Sequence, residues 1–296
     1  MLQTPEVWEV GSRFRPNRQT ELFYRSWIPM QPHLILVMIH GAGQHSGQFL
    51  ELAAYCFRHD IAFYALDLRG FGQSTGKRGH ITCFAEYLDD LERFIEYVQQ
   101  QHPENPVFLL GHSLGGTIVV RYGQERGQSC VQGAILSAPA LRLRLQIPNS
   151  LYSVCRLLSG ISPEFCVELH RFSKRIAKIP RFRSFFNGKG ELSDAADPLS
   201  TSQFTVRWFT ELLSNGNQAL SKAADFRISV LCICGADDPL IDPASVQQFH
   251  DSLPIKDKQF ILLPGRKHRL LHDQQREMVF AQIVNWLKQR ALVTQT

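Results

Sequence analysis

The stretch VFLLGHSLGG, residues 107–116, decides the fold. Four apolar residues lead into a segment in which one serine, Ser113, stands between two glycines just where a buried strand ends. The pattern Gly-x-Ser-x-Gly between a strand and a helix is typical of a nucleophile elbow, a sharp turn that exposes the serine hydroxyl above a sheet. We therefore expect Ser113 to be a nucleophile, which requires a base and an acid elsewhere in the chain.

Short apolar runs alternate along the chain with segments of helical periodicity. The runs are LILVMI from position 34, AFYALDL from 62, VFLL from 107, GAILSA from 133, SVLCICG from 229 and QFILLPG from 259. Continuous apolar runs of this length indicate strands that are buried on both faces, and the periodic segments indicate covering helices. The sequence predicts an α/β fold with a mostly parallel sheet, preceded by an antiparallel edge formed by EVWEV and LFYRSW.

One long interval interrupts this alternation. We predict a helical lid over residues 141–225, inserted between two parts of one core, residues 1–140 and 226–296. Within residues 142–190 there are ten Lys or Arg against two Glu, in a chain whose formal net charge is +5. This excess predicts either a solvated face or attraction to an anionic membrane surface or a phosphorylated substrate. Residues 165–178 have the pattern of a basic amphipathic helix that lies at an interface or covers the substrate pocket.

The composition argues against several other classes of protein. No segment has the ~18 apolar residues needed to span a bilayer, and the N-terminal residues lack the apolar region of a secretory signal. Seven cysteines form no CxxC pattern and are odd in number, which favours reduced thiols. We expect a cytoplasmic protein, with peripheral membrane contact as an alternative. No nucleic-acid partner is expected, since no recognised binding module accompanies the basic stretch, and a monomer or a weak dimer would both fit.

The acid and the base should follow later strands, in the chain order serine, acid, histidine. After SVLCICG, either Asp237 or Asp238 stands at the position for the acid, and we prefer Asp238; Asp242 is expected to cap the next helix. After QFILLPG, His268 stands at the loop tip and is the expected base. His272 comes one helical turn later, and we assign it a surface or supporting role.

An oxyanion hole also needs backbone N–H groups that point at the developing charge. We expect one from Leu114, the residue after the nucleophile, and the other from Ala42 in the loop His-Gly-Ala-Gly that follows an early strand. In the mechanism that results, His268 deprotonates Ser113, the serine attacks a carbonyl, and water later releases the acyl group. This chemistry needs no metal or organic cofactor.

Six segments together resemble those of monoacylglycerol lipases and the related lysophospholipases of the α/β-hydrolase superfamily. They are HGAGQHSGQF, DLRGFGQSTGKRG, GHSLGG, SDAADPLS, GADDPLID and GRKHRLLHD. The resemblance covers most of the chain and is weakest in the insertion. It implies the α/β-hydrolase fold with a helical lid and an acyl-lipid substrate. It also implies a triad and an oxyanion hole at positions of this sequence, the triad being Ser113, Asp238 and His268 and the hole Ala42 and Leu114.

The chain also departs from the family it resembles. Arg266 and Lys267 stand beside the base in place of the small and aromatic residues common in animal monoacylglycerol lipases, which favours an anionic or zwitterionic headgroup. An alternative within enzymes is an esterase, thioesterase or peptidase that acts on a non-lipid acyl substrate, because fold and triad do not set the substrate. An alternative from another class is a non-catalytic receptor that binds a ligand in the same pocket.

Overall fold

The computed structural model describes residues 9–126, 130–145, 147–168 and 197–291. The strands in these ranges are β1 Glu9–Phe14, β2 Leu22–Trp27, β3 Leu34–Ile39, β4 Ile61–Leu66, β5 Val107–His112, β6 Gly133–Ser137, β7 Cys166–Glu168, β8 Gln203–Thr205, β9 Ser229–Gly235 and β10 Lys258–Leu263. The α-helices are α1 Leu50–Phe57, α2 Ala85–Gln101, α3 Leu114–Glu125, α4 Asn149–Ile161, α5 Val206–Ser221, α6 Pro243–Ser252 and α7 Arg276–Ala291.

Eight of these strands form one sheet in the order β1-β2-β4-β3-β5-β6-β9-β10. The pairs β1–β2 and β2–β4 are antiparallel, and the remaining neighbours are parallel. Because parallel neighbours end at the same edge of a sheet, the loops after β3, β5, β9 and β10 all open on one side. The predicted α/β architecture, with its antiparallel edge, is confirmed.

Burial on both faces explains why the central strands are apolar without alternation. Every residue of β3, β4 and β5 is buried. Along β3, Ile35 and Val37 point into a core that includes α2 and α3, whereas Leu34 and Leu36 point into a second core with α1 and α7. A sheet covered by helices on each side therefore has no face on which polar residues could alternate.

The first edge strand and the insertion differ from the expectations. The edge strand begins at Glu9, and the earlier part of EVWEV lies outside the described residues. The predicted helix over 165–178 is wrong at its start, because Cys166–Glu168 forms strand β7, antiparallel to β8; the residues from 169 onward lie outside the described ranges. A strand whose partner lies more than thirty positions away leaves no local periodicity to detect.

Among the residues that the structure describes, no helix has both the length and the apolar character that a membrane span requires.

Candidate active site

Ser113 lies in the sharp turn between β5 and α3, with φ 53° and ψ −114°. This backbone conformation is unfavourable for a residue with a Cβ, so neighbouring bonds must hold it. The Ser113 N–H donates to the carbonyl of Ser137 at 3.0 Å, and the Ser113 carbonyl accepts from the N–H groups of Thr117 and Ala140. The adjacent strand and helix therefore fix the serine with its side chain partly exposed.

Two glycines make this turn possible through close approach of backbone to backbone. A Cβ on Gly111 would lie 2.4 Å from the carbonyl oxygen of Gly115, inside the turn itself. A Cβ on Gly115 would lie 2.0 Å from the carbonyl oxygen of Ile39 at the end of β3. Both glycines of the Gly-x-Ser-x-Gly pattern are therefore required by packing.

A chain of hydrogen bonds joins Ser113, His268 and Asp238. The distance from His268 Nε2 to Ser113 Oγ is 3.0 Å, and that from His268 Nδ1 to Asp238 Oδ2 is 2.7 Å. His268 and Asp238 are both buried. When the Nδ1–H of His268 donates to the carboxylate, its Nε2 is left free to accept the hydroxyl proton of the serine, as a general base requires.

The loop after β9 separates the three acidic residues that the sequence left in competition. The second carboxylate oxygen of Asp238 accepts from the N–H groups of Leu240 and Ile241, at 2.8 and 2.9 Å. Asp237 is exposed, and Asp242 caps α6 by accepting from the N–H of Ala244. The capping role predicted for Asp242 is confirmed, and of the three acids Asp238 is the one that the structure brings to His268.

The loop of residues 40–45, which we call the glycine loop, follows β3 and runs beside the elbow. His40 accepts the N–H of Leu68 at Nε2, at 3.0 Å, so its proton is on Nδ1, which donates to the carbonyl of Gly41 at 2.7 Å. Burial lowers the pKa of His40 to about 4, which keeps this ring neutral. A Cβ on Gly41 would lie 3.2 Å from the Cβ of Ser113, so the loop approaches the nucleophile closely.

The two expected donors of the oxyanion hole belong to two different segments near Ser113. Leu114 is the first residue of α3, and the N–H groups of a first helical turn have no acceptor within their helix. Ala42 belongs to the glycine loop and is partly exposed. Both N–H groups therefore sit in segments next to the serine, and their role as oxyanion donors remains a prediction.

Two further histidines, His112 and His272, belong to the same region as His268. The ring of His112 lies 5.0 Å from that of His268, centroid to centroid, and its Nδ1 is 3.1 Å from the carbonyl of Ser137. Burial, followed by the nearby His268, holds the pKa of His112 well below 6.5. Burial also lowers the pKa of His272 to about 4, and the Nε2 of that ring bonds the carbonyl of Gln48. His272 thus links the loop of the base to the segment after the glycine loop.

The charged residues beside the base are arranged differently from the sequence expectation. Arg266, expected to favour a charged headgroup, forms an ion pair with Asp273 at 3.0 Å. Lys267 is exposed. The ion pair occupies the guanidinium of Arg266, so this residue gives little support to a charged headgroup.

The sequence interpretation missed one contact of this region altogether. His45, in the glycine loop, bonds Asp197, which lies 152 positions later where the insertion returns to the core. No spacing rule connects residues so far apart in the sequence. Their occurrence in two of the segments that carried the family resemblance was the available signal.

Comparison with known proteins places the chain among the hydrolases. The profile of the family described as "Serine aminopeptidase, S33" matches residues 30–275. The monoglyceride lipase of Rattus norvegicus is 30% identical over 92% of this chain and 88% of its own length. The phospholipase YtpA of Bacillus subtilis is 28% identical over 86% of this chain and 95% of its own.

A solved structure gives the same result at the level of the fold. The monoacylglycerol lipase of Paleococcus ferrophilus matches with a TM-score of 0.75 at 26% identity, covering 90% of this chain and 98% of that one. The predicted α/β-hydrolase fold and the resemblance drawn from six sequence segments are both confirmed. Because the family profile spans most of the chain and the fold agrees, the chain belongs to the serine aminopeptidase S33 family of α/β-hydrolases.

Proposed function

We propose that the chain is a carboxylic ester hydrolase that cleaves the acyl ester of single-chain lipids, of the monoacylglycerol or lysophospholipid class. The observation that carries the proposal is the hydrogen-bonded chain from Ser113 through His268 to Asp238. Relatives named as a monoglyceride lipase and a phospholipase support a lipid ester as the substrate.

The geometry supports a mechanism in two halves. His268 takes the proton of Ser113 at Nε2 while the serine oxygen attacks the ester carbonyl, and the carboxylate of Asp238 stabilises the imidazolium. The N–H groups of Ala42 and Leu114 bind the oxyanion, each being worth roughly 3 to 4 kcal/mol in known enzymes. His268 then protonates the departing alcohol. In the second half, His268 deprotonates a water molecule that attacks the acyl carbonyl. The bond between the acyl carbon and Ser113 Oγ then breaks, the fatty acid leaves, and His268 returns the proton to Ser113 Oγ.

A cavity beside the elbow supports an acyl chain as the bound group, since most of its lining residues are apolar although Arg142, Asn149 and Asn217 also line it. Its volume is about 380 Å³, within the range of small-molecule sites, and Ala140, Leu141, Tyr152 and Leu212 are among its lining residues. Ala140, which lines this cavity, donates its N–H to the backbone carbonyl of Ser113, so one wall of the cavity contacts the elbow.

The surface of α4 supports contact between the insertion and the lipid that presents the substrate. Five apolar residues at helical spacing are exposed on this helix, namely Leu151, Val154, Leu157, Leu158 and Ile161. Exposed apolar residues in one stripe, next to a basic segment, are typical of a helix that lies at a membrane interface. We propose that α4 is part of a peripheral contact with an anionic lipid surface.

Oleate release from 2-oleoylglycerol and from oleoyl lysophosphatidylcholine, measured side by side, tests the function. We expect hydrolysis of at least one lipid, and a loss of at least roughly a thousandfold in Ser113→Ala, because removal of a serine nucleophile abolishes the acyl-enzyme route. Preference between the two lipids would assign the headgroup. Unchanged hydrolysis by Ser113→Ala would refute the proposal.

The family description supplies a second candidate, cleavage of a peptide bond by the same three residues. An amino-acid p-nitroanilide is the probe for this activity, and labelling of Ser113 by a fluorophosphonate reports the nucleophile independently of substrate. Hydrolysis of the anilide but of neither lipid, with Ser113 labelled, would replace the lipid by a peptide. Absence of labelling would contradict the assignment of the site.

A further inference from the structure

His45 and Asp197 form a short hydrogen bond between the core and the returning insertion. His45 Nε2 lies 2.5 Å from Asp197 Oδ2, and the side chain of His45 is only 8% exposed. The Nδ1 of the same ring accepts the N–H of Gly47 at 3.2 Å, so the ring proton is on Nε2 and is donated to the carboxylate. The orientation of the imidazole is therefore fixed at both nitrogens.

The carboxylate of Asp197 is held ionised by several donors. Burial alone would raise the pKa of Asp197, but hydrogen bonds from His45, the N–H of Leu199 and the amide of Gln48 lower it to about 2. The Leu199 N–H is 2.9 Å from Oδ1, and the Gln48 Nε2 is 3.2 Å from Oδ2. Asp197 thus remains a charged acceptor at any pH at which the enzyme would work.

A second bond ties the same two segments together closer to the reaction centre. The N–H of Thr201 donates to the carbonyl of Gly43 at 3.0 Å, and Gly43 directly follows Ala42. We call residues 197–201 the return segment. It therefore holds the glycine loop at two points, the Gly43 carbonyl and the His45 ring, which flank Gln44.

We propose that His45 and Asp197 are positioning residues for the oxyanion hole. By fixing the glycine loop against the return segment, they aim the N–H of Ala42 at the charge that develops on the substrate carbonyl. The proposal rests on the proposed function of Ser113. Hydrogen bonds weaken steeply as their angle closes, and a displacement of about 1 Å in a reaction centre can cost about a hundredfold in rate. Neither residue needs to touch the substrate for this effect.

The contact between His45 and Asp197 can be tested with three variants and a matched control. Asp197→Ala removes the acceptor, whereas Asp197→Asn keeps a neutral one for the His45 ring. His45→Asn keeps a side-chain acceptor for the Gly47 N–H, since asparagine is a good helix-capping residue, but is too short to reach Asp197. The control is Glu164→Gln, which breaks an ion pair between insertion and core, Lys77–Glu164, on the exposed surface.

The readouts are kcat and KM on p-nitrophenyl octanoate and the inhibition constant of an octyl trifluoromethyl ketone, which forms an oxyanion when Ser113 adds to it. We expect Asp197→Ala and His45→Asn to lower kcat by about 10- to 100-fold with KM within about twofold. The inhibition constant should rise in proportion. Asp197→Asn should recover most of the loss, the two disruptive changes together should cost no more than the larger one, and Glu164→Gln should match the wild type.

Other results would overturn the proposal in distinguishable ways. Unchanged kcat in both disruptive variants, or a rise in KM alone, would show that the pair does not act on the transition state. A fall in kcat with an unchanged inhibition constant would show that the oxyanion hole is intact. Should Asp197→Ala fail to fold, His45→Asn still decides the question. A wild-type protein that neither hydrolyses the ester nor reacts with a fluorophosphonate would instead refute the proposed function.

Discussion

At the scale of single residues, the unfavourable backbone of Ser113 occurs together with two glycines, Gly111 and Gly115, at which a side chain would clash with the backbone of the turn or of β3. A φ of 53° in a residue with a Cβ costs of order 1–3 kcal/mol, which the surrounding bonds must offset. Gly115 contributes by letting α3 begin directly against the carbonyl of Ile39. The backbone strain and the close packing depend on each other, because the sharp turn that strains Ser113 is also the turn that brings Gly115 against β3.

Gly115→Ala tests this account. Its Cβ would lie 2.0 Å from a backbone oxygen, so α3 must move, and we expect a loss of about 1–3 kcal/mol or more in the free energy of unfolding. Gly160→Ala in α4 is the matched control, since nothing lies within 4 Å of its new methyl group and alanine favours helix by up to about 1 kcal/mol. Urea unfolding measures both. A stability of Gly115→Ala equal to that of the wild type would contradict the close packing.

At the scale of elements, the insertion is bonded at both of its ends to loops that carry residues of the candidate site. Its first residues form a bridge, Leu143 to Ile241, with the loop that carries Asp238, and the guanidinium of Arg144 donates to the Asp238 carbonyl at 2.5 Å. Its return segment holds the glycine loop. A movement of the insertion would thus affect the loop of Asp238 and the glycine loop together.

The exposed stripe of α4 gives a prediction at the same scale. Leu157 and Ile161 are 68% and 82% exposed. Replacing both by serine should lower binding to phosphatidylglycerol vesicles by about a hundredfold or more, because each apolar side chain contributes about 1.5–3 kcal/mol when fully inserted and about 1.4 kcal/mol corresponds to a factor of ten. Sedimentation with vesicles measures the bound fraction. Leu262→Ser, at an exposed leucine of β10, is the control and should bind as the wild type does. Equal binding by the double variant would rule out α4 as the contact.

At the scale of the whole molecule, buried neutral histidines make stability depend on pH. Burial lowers the pKa of His40 and of His272 to about 4, and holds that of His112 well below 6.5. In the unfolded chain these rings titrate near 6.5, so below that pH the unfolded state binds more protons than the folded one. Their contribution to stability is complete above pH 6.5 and is lost as the pH falls towards 4.

The free energy of unfolding in urea, measured from pH 7.5 to 4.5, checks this expectation. Each of His40 and His272 should account for roughly 3 kcal/mol over the full titration, since one pKa unit corresponds to about 1.4 kcal/mol. His40→Gln keeps a donor and an acceptor in the ring's place but cannot be protonated, so its curve should fall less steeply by one proton. A wild-type curve that is flat between pH 6.5 and 4.5 would contradict the assignment of neutral buried rings.

The sequence by itself determined the sheet, the elbow and the candidate triad. Apolar runs mark strands buried on both faces whatever their neighbours are. Local pattern and chain order therefore selected Ser113 and His268, and narrowed the acid to Asp237 or Asp238. Their catalytic roles remain predictions. The choice of Asp238 over Asp237 came from the family resemblance, because strand and loop spacing allowed either residue.

Only the tertiary structure decided how the insertion meets the core. The pairing of β7 with β8 and the bond between His45 and Asp197 join residues that are far apart in the chain. The spacing and periodicity around each of these residues do not predict which residue it contacts. The Arg266–Asp273 ion pair joins residues only seven positions apart, but only the fold of their loop shows that Arg266 pairs with Asp273 and not with a headgroup. The physical reason is that periodicity reports which side of an element is buried, whereas hydrogen bonds and ion pairs depend on which elements that burial brings together.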